Sequence, residues 1–65
     1  TRSPMHPIII KALDQLLDDL DEERIAQRIE LANETEPGPR QIIRDRLAAL
    51  HSDAELVQNF LDENQ

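Results

Sequence analysis

The stretch Ile8–Leu20 is the densest apolar segment of the chain, and it most strongly limits how the chain can fold. At 100° per residue its apolar side chains fall on one arc about 160° wide, whereas Lys11 and Asp14 lie on the opposite side. A β-strand would require strict alternation, which this segment lacks. Pro7 suits the first position of a helix, because its missing N–H would be unpaired there anyway. The sequence therefore predicts a helix from Pro7 to about Asp19.

The apolar pattern changes phase after Leu20. If the helix continued, Ile25 and Ile29 would lie about 160° away from Leu20 around the helix axis. A corner at Asp19–Asp21 accounts for this change, because Asp21 can cap a second helix and the following acidic residues suit its positive end. The sequence favours this corner. The alternative is one long helix that buries opposite faces at its two ends, as happens when a partner chain covers one of them.

The segment 33–40, NETEPGPR, is the clearest break in the chain, with its only glycine between Pro37 and Pro39. Residues that precede proline are disfavoured in helical conformation, so we expect the chain to reverse here. A third helix is predicted from Pro39 or Arg40 to about Leu50, since apolar side chains recur there at helical spacing.

A fourth helix is predicted after Ser52, because Ser52 and Glu55 match the capping-box pattern. Its predicted buried side consists of Leu56, Val57, Phe60 and Leu61. Short connections favour antiparallel neighbours. The predicted fold is therefore all-α: a compact bundle of four short helices, or three if the first two are continuous, with dimer formation as an option. Residues 1–6 are predicted to form a flexible arm and residues 7–63 a single domain.

Composition restricts the classes of partner. With 65 residues the chain has room for one domain and a marginal core. Fourteen acidic against seven basic residues give a net charge of −7, which argues against unaided binding to nucleic acid or to an anionic membrane. The chain has no cysteine and no apolar run long enough to span a membrane. We expect a cytoplasmic protein whose partner is another protein.

The leading functional hypothesis is a small acidic interaction or regulatory module. It rests on surplus apolar surface in the first helix and on five carboxylates within the six positions 18–23. The apolar stripe would supply affinity for a partner with a basic surface, or for a second copy in a homodimer, and the carboxylates would supply orientation. The predicted partner-binding residues are Ile8, Ile10, Leu17, Asp18, Asp19, Glu22 and Glu23. A related alternative is an acidic inhibitor or antitoxin-like protein that masks a nucleic-acid-binding surface.

A different alternative is a DNA-binding regulator. Residues 24–50 would form a unit like a helix-turn-helix, with Arg40, Gln41 and Arg44 on the exposed face of its second helix. The connection is longer than the usual three or four residues, and nearby acidic residues almost cancel the positive charge. Nucleic acid is therefore the less favoured partner.

Enzymatic activity, metal binding and cofactor binding are not predicted. The two histidines, His6 and His51, lack the spacing of helical metal-binding or metalloprotease motifs. His6 suits a helix N-cap, and His51 suits the C-terminal end of the predicted third helix, where a cation is favoured. No serine lies in a nucleophile-elbow motif, and no glycine-rich loop could hold a phosphate.

Overall fold

The protein is a hairpin of two long α-helices. The computed structural model describes residues 5–64, in which α1 spans Pro7–Asn33, α2 spans Pro37–Asn64, and residues 34–36 connect them. The molecule measures 53 × 17 × 10 Å and has a radius of gyration of 15.3 Å. A compact globular chain of this length would have a radius of gyration of about 11 Å. The hairpin is therefore elongated, with two broad faces, an open end where α1 begins and α2 ends, and a loop end.

The predicted bundle of four helices, or of three, is wrong, although the all-α class is confirmed. The corner expected at Asp19–Asp21 is absent, and α1 continues through these residues. Asp21 and its acidic neighbours are exposed, so they can remain in a helix without losing their hydration. A break would leave several backbone groups unpaired at each new helix end, and no glycine or proline is present here to favour it.

The capping box predicted at Ser52 is also wrong, because α2 runs without interruption through Ser52 and Glu55. Both side chains are exposed on the helix surface. The same argument applies as in α1: between Arg40 and Asn64 no residue is a strong helix breaker. His51 consequently lies in the middle of α2 and not at the C-terminal end of a helix.

The chain reversal is confirmed at residues 34–36, and α2 begins at Pro37, two residues before the predicted start. Pro37 and Pro39 both fit the first turn, because the backbone N–H groups they lack would have no partner within the helix. At the other helix start His6 is the N-cap, as its position directly before Pro7 suggested. Its Nδ1 accepts a hydrogen bond from the backbone N–H of Ile8 at 3.1 Å.

The interior is a single line of contacts between the two helices. On each helix the half-buried and buried residues recur at alternating spacings of three and four, the pattern of an antiparallel coiled coil. The line on α1 consists of Ile10, Leu13, Leu17, Leu20, Arg24, Gln27 and Leu31. The line on α2 consists of Arg40, Ile43, Leu47, Leu50, Ala54, Val57, Leu61 and Asn64. Among the described residues the fully buried ones are Ile43, Ala54 and Leu61.

The predicted domain of residues 7–63 and the predicted arm of residues 1–6 remain predictions. Residues 1–4 of that arm lie outside the described residues, and His6 has extended backbone angles.

Candidate protein-binding surface

Two apolar side chains of α1 lie beside the interior line near the open end. Around the helix axis Ile9 and Leu16 are displaced from Leu13 by about 40° and 60° in the same direction. Neither can therefore share the interior position of Leu13 against α2. Their exposed fractions are 50% for Ile9 and 41% for Leu16.

Two apolar side chains of α2 are displaced in the corresponding way. Phe60 and Leu56 lie about 60° and 100° from Val57, in the rotational direction that brings them to the same broad face as Ile9 and Leu16 in an antiparallel pair. Leu56 is 72% exposed and Phe60 is 49% exposed.

Leu56 and Phe60 border one groove between the helices. The groove is open, has a volume of about 470 Å³, and is lined by Leu13, Leu56, Val57, Asn59, Phe60 and Glu63. We define the apolar face as Ile9, Leu13, Leu16, Leu56, Val57 and Phe60. Both helices contribute to it, so it exists only because the hairpin places the beginning of α1 beside the end of α2.

Charged side chains continue the same broad face towards the loop end. A second groove there is lined by Glu23, Gln27, Arg46, Ala49, Leu50 and Asp53. Glu23 and Asp53 are exposed, as is Asp19 on the same side of α1. Among residues 5–64, no carboxylate oxygen lies within 4 Å of the Arg46 guanidinium. The apolar face thus adjoins a mainly acidic region that contains one unpaired arginine.

The opposite broad face is polar. A groove on this face is lined by Leu17, Asp21, Arg24, His51, Ala54, Glu55, Gln58 and Asn59. On this side Arg24 Nη1 is 3.4 Å from Asp21 Oδ1, and His51 Nε2 is 3.8 Å from Glu55 Oε2. Both contacts join residues three or four apart on one helix and involve a solvent-exposed carboxylate, so they add little stability. The two broad faces therefore differ in their capacity to bind an apolar partner.

The predicted partner-binding residues are distributed over several sides of α1. Ile10 and Leu17 are half-buried on the interior line, whereas Ile8 is 71% exposed on the outer side. The four carboxylates named with them are exposed. On a continuous helix the acidic run at 18–23 covers an outer arc of about 200°, so it forms a band around α1 and not a single patch.

Sequence reasoning missed Leu56 and Phe60 as surface residues, because it placed them on the buried side of a separate fourth helix. The signal that identifies them is the spacing of the interior line. The alternating spacing of three and four residues that begins at Ile43 and passes through Ala54 places Val57 and Leu61 on the interior line. Leu56 and Phe60 do not fit this spacing and therefore lie outside the line.

The change of phase in the apolar pattern after Leu20 does not produce a corner in α1. It places the apolar residues that follow on the outer side of the helix. Ile25 and Ile29 lie on the outside of α1 and are 56% and 58% exposed. Arg24 and Gln27 occupy the interior line in their place, and the buried Gln27 Oε1 has no hydrogen-bond partner among the described residues. The single continuous helix of the alternative is therefore present, whereas the burial that it requires of Ile25 and Ile29 remains a prediction, since both are exposed in the single chain.

The residues of the DNA-binding alternative are largely engaged with the hairpin itself. Arg40 Nη1 donates hydrogen bonds of 2.7 Å to the carbonyl oxygens of both Leu31 and Glu34, at the end of α1. Gln41 donates through Nε2 to Asp45 Oδ1 at 2.9 Å. Arg44 is exposed on α2. Arg40 therefore caps α1 from the neighbouring helix and joins the two helices at the loop end.

Within residues 5–64 no group of three or more histidine, aspartate or glutamate side chains is arranged to hold a metal ion. Neither described helix combines the length and the apolar character needed to cross a membrane. Comparisons with models of protein families, with curated proteins and with solved structures found no match.

Proposed function

We propose that this hairpin is a protein-protein interaction module that binds another polypeptide through its apolar face. The observation that carries the proposal is the contrast between interior and surface. Three described residues are buried, whereas four large apolar side chains from two helices are exposed on one broad face, two of them at an open groove. These four are Ile9, Leu16, Leu56 and Phe60.

The energetics favour covering this face. Transferring the exposed part of Leu56 or Phe60 out of water contributes about 1–2 kcal/mol each, and both lie within one groove. A two-helix hairpin of this size buries little surface of its own and is marginally stable. A partner that binds only the folded hairpin would therefore raise its stability as well as bind to it.

The carboxylates beside the apolar face would guide the encounter. Asp19, Glu23 and Asp53 are exposed on the same broad face, towards the middle of the hairpin. Charges at the rim of an interface affect the association rate and the choice of partner more than the final affinity. In this proposal the apolar face supplies most of the affinity, and the carboxylates exclude strongly acidic partners.

The geometry favours this proposal over DNA binding. The guanidinium of Arg40 is bonded to the end of α1, so its use on a phosphate would cost those two hydrogen bonds. The amide of Gln41 is bonded to Asp45, whose carboxylate also lies one residue from Arg44 and would repel a phosphate there.

Site-specific photo-crosslinking in cells that naturally contain the protein tests the proposal. A photoreactive phenylalanine analogue is placed at Leu56 on the apolar face and, as a matched control, at Gln58, an exposed position two residues later on the opposite side of α2. We expect a discrete polypeptide adduct from position 56 that is absent from position 58. The adduct should also disappear when Leu16→Asp is added. Equal labelling from both positions would contradict the proposal.

A further inference from the structure

We infer that the polypeptide that covers the apolar face is a second copy of this chain, and that the two hairpins form a four-helix bundle. This inference rests on the proposed function and adds the identity of the partner. The twofold axis lies parallel to the helices, so α1 of one copy packs against α2 of the other, and every neighbouring pair of helices is antiparallel.

The register within one hairpin determines which residues would meet. The three-residue connection and the hydrogen bond from Arg40 to the Leu31 carbonyl place these two residues side by side. Counted along the interior lines from there, Leu17 lies at the height of Ala54 and Leu13 at the height of Val57. By the same register Leu16 lies within about one residue of the height of Leu56, a difference of about 1.5 Å.

Two further pairs on this broad face also lie at matching heights. Ile9 and Phe60 are within about two residues of each other, as are Glu23 and Arg46, which equals about 3 Å along the axis. A rotation about the proposed axis exchanges α1 and α2 without changing height. Each residue of such a pair would therefore meet its counterpart on the second copy, and each pair would occur twice.

The broad face is self-complementary in both apolar character and charge. The apolar face of one copy would cover the apolar face of the other at the open end, where exposure is greatest. Nearer the loop end, Glu23 of each copy would lie opposite Arg46 of the other. That arginine has no carboxylate oxygen within 4 Å among residues 5–64, so it is available for this pairing.

The area of the face matches what a stable dimer requires. The broad face extends over 53 × 17 Å, or about 900 Å². A standard stable interface buries about 800 Å² on each partner. The apolar face alone covers only the open half, so contact along the full length of the hairpin is needed, and that contact brings Glu23 and Arg46 into the interface.

The same arrangement brings one unfavourable pair together. Asp19 and Asp53 lie at nearly equal heights on this broad face, so two carboxylates would oppose each other twice across the interface. Each copy also carries a net charge of −7. Salt screens both repulsions, so dimer formation should strengthen as the salt concentration rises. The Asp19→Asn/Asp53→Asn variant should dimerise more tightly than the unmodified chain.

Analytical ultracentrifugation of charge-reversed variants tests the inference. Glu23→Arg places two arginines opposite each other at each contact, and Arg46→Glu places two glutamates there. We expect each variant alone to dimerise at least about tenfold more weakly than the unmodified chain, because two attractive contacts become repulsive. An equimolar mixture should recover dimerisation as a heterodimer, in which both contacts are again of opposite charge.

Recovery of dimerisation in the mixture would show that Glu23 and Arg46 meet between two copies. Mixing cannot restore a contact within one chain, because each chain keeps its own substitution. The matched controls are Glu22→Arg, one residue along α1 on its outer side, and Arg44→Glu, on the opposite side of α2. Neither control should weaken the dimer more than about twofold, and mixing the two should bring no gain. Circular dichroism verifies that every variant remains helical.

Two results would overturn the inference. One is a chain that stays monomeric up to about millimolar concentration; the other is a mixture that dimerises no better than its components. If the chain is monomeric and crosslinking from position 56 captures a different protein, the second copy is excluded while the proposed function stands. If position 56 captures nothing and the chain is monomeric, both fail.

Discussion

The open half and the loop half of this hairpin are held together in different ways. In the open half the interior line is aliphatic on both helices except for the terminal Asn64, and apolar side chains also continue onto one broad face. In the loop half α1 contributes Arg24 and Gln27 to the interior line, while Ile25 and Ile29 lie outside. The short connection and Arg40, which bonds to the end of α1, hold the helices together there. Apolar surface is thus concentrated where no covalent link restrains the helices.

The stability of the two halves should therefore respond differently to mutation and to binding of a partner. The open half depends on burying apolar surface, and the further surface it exposes calls for a partner. The loop half depends on a covalent connection and on hydrogen bonds to carbonyl groups, and these need no partner. All stabilities below refer to one fixed chain concentration, because dimer formation would make them concentration-dependent.

The largest expected effect is at the interior of the open half. Leu61→Ala removes a side chain that is 1% exposed. We expect the free energy of unfolding to fall by about 3 kcal/mol, through lost burial and the cavity left behind. Urea denaturation followed by circular dichroism measures this change. Ile29→Ala, on the outer side of α1, is the control and should change stability by less than about 0.5 kcal/mol. Similar losses at both positions would contradict the assignment of the interior line.

The next effect concerns the loop half. Arg40→Met keeps most of the aliphatic stem but removes the hydrogen bonds to the carbonyl groups of Leu31 and Glu34. We expect a loss of about 2 kcal/mol, because these bonds involve a charged donor and are partly buried. Hydrogen exchange of amides near the loop should accelerate more than exchange near the open end. Arg44→Met, at an exposed position, is the control; an equal loss there would mean that Arg40 contributes through its charge alone.

A smaller effect of opposite sign is expected at the polar part of the interior. Gln27→Leu replaces a side chain whose buried Oε1 has no partner among the described residues. We expect the free energy of unfolding to rise by about 1 kcal/mol, because the unsatisfied group is removed and apolar contact is gained. Thermal and urea denaturation both measure this. Gln41→Leu, on the exposed side of α2, should not stabilise; a destabilised Gln27→Leu would show that this amide is satisfied in solution.

The smallest expected effect is at the start of α2. A Cβ added to Gly38 meets no atom within 4 Å, and the residue does not adopt a positive φ. Gly38→Ala should therefore stabilise the hairpin by about 0.5 kcal/mol, by reducing the freedom of the unfolded chain. The change would appear as a higher urea midpoint with an unchanged slope. A destabilisation would indicate that the first turn of α2 differs from the one described.

Local features of the fold could be predicted from the sequence. The helix start at Pro7, the N-cap at His6 and the reversal between Asn33 and Pro37 each depend on a few adjacent residues with strong conformational preferences. The continuity of both helices could not be predicted in the same way. At Asp21 and at Ser52 the residue types allow a cap, but they also tolerate a helix interior, so local preference does not decide between the two.

The candidate site was also only partly predictable from the sequence. The apolar surplus near Ile8–Ile10 is visible in the sequence, yet the exposed neighbours of Ile9 and Leu16 on this face are Leu56 and Phe60, forty or more residues away. Their place on the surface follows only when α2 is known to be one helix, since the phase of its interior line is then fixed from Ile43 onwards.

By itself, the sequence of this protein determined that the chain is helical, that it is acidic, and where it reverses, because these properties follow from side-chain spacing, charge and the bias against helical conformation before Pro37. Only the tertiary structure decided how many helices there are and which apolar residues are inside. A two-helix hairpin offers each helix one line of contact, so apolar residues beyond that line remain on the surface. In α1 the phase change at Leu20 therefore exposes Ile25 and Ile29 without bending the helix.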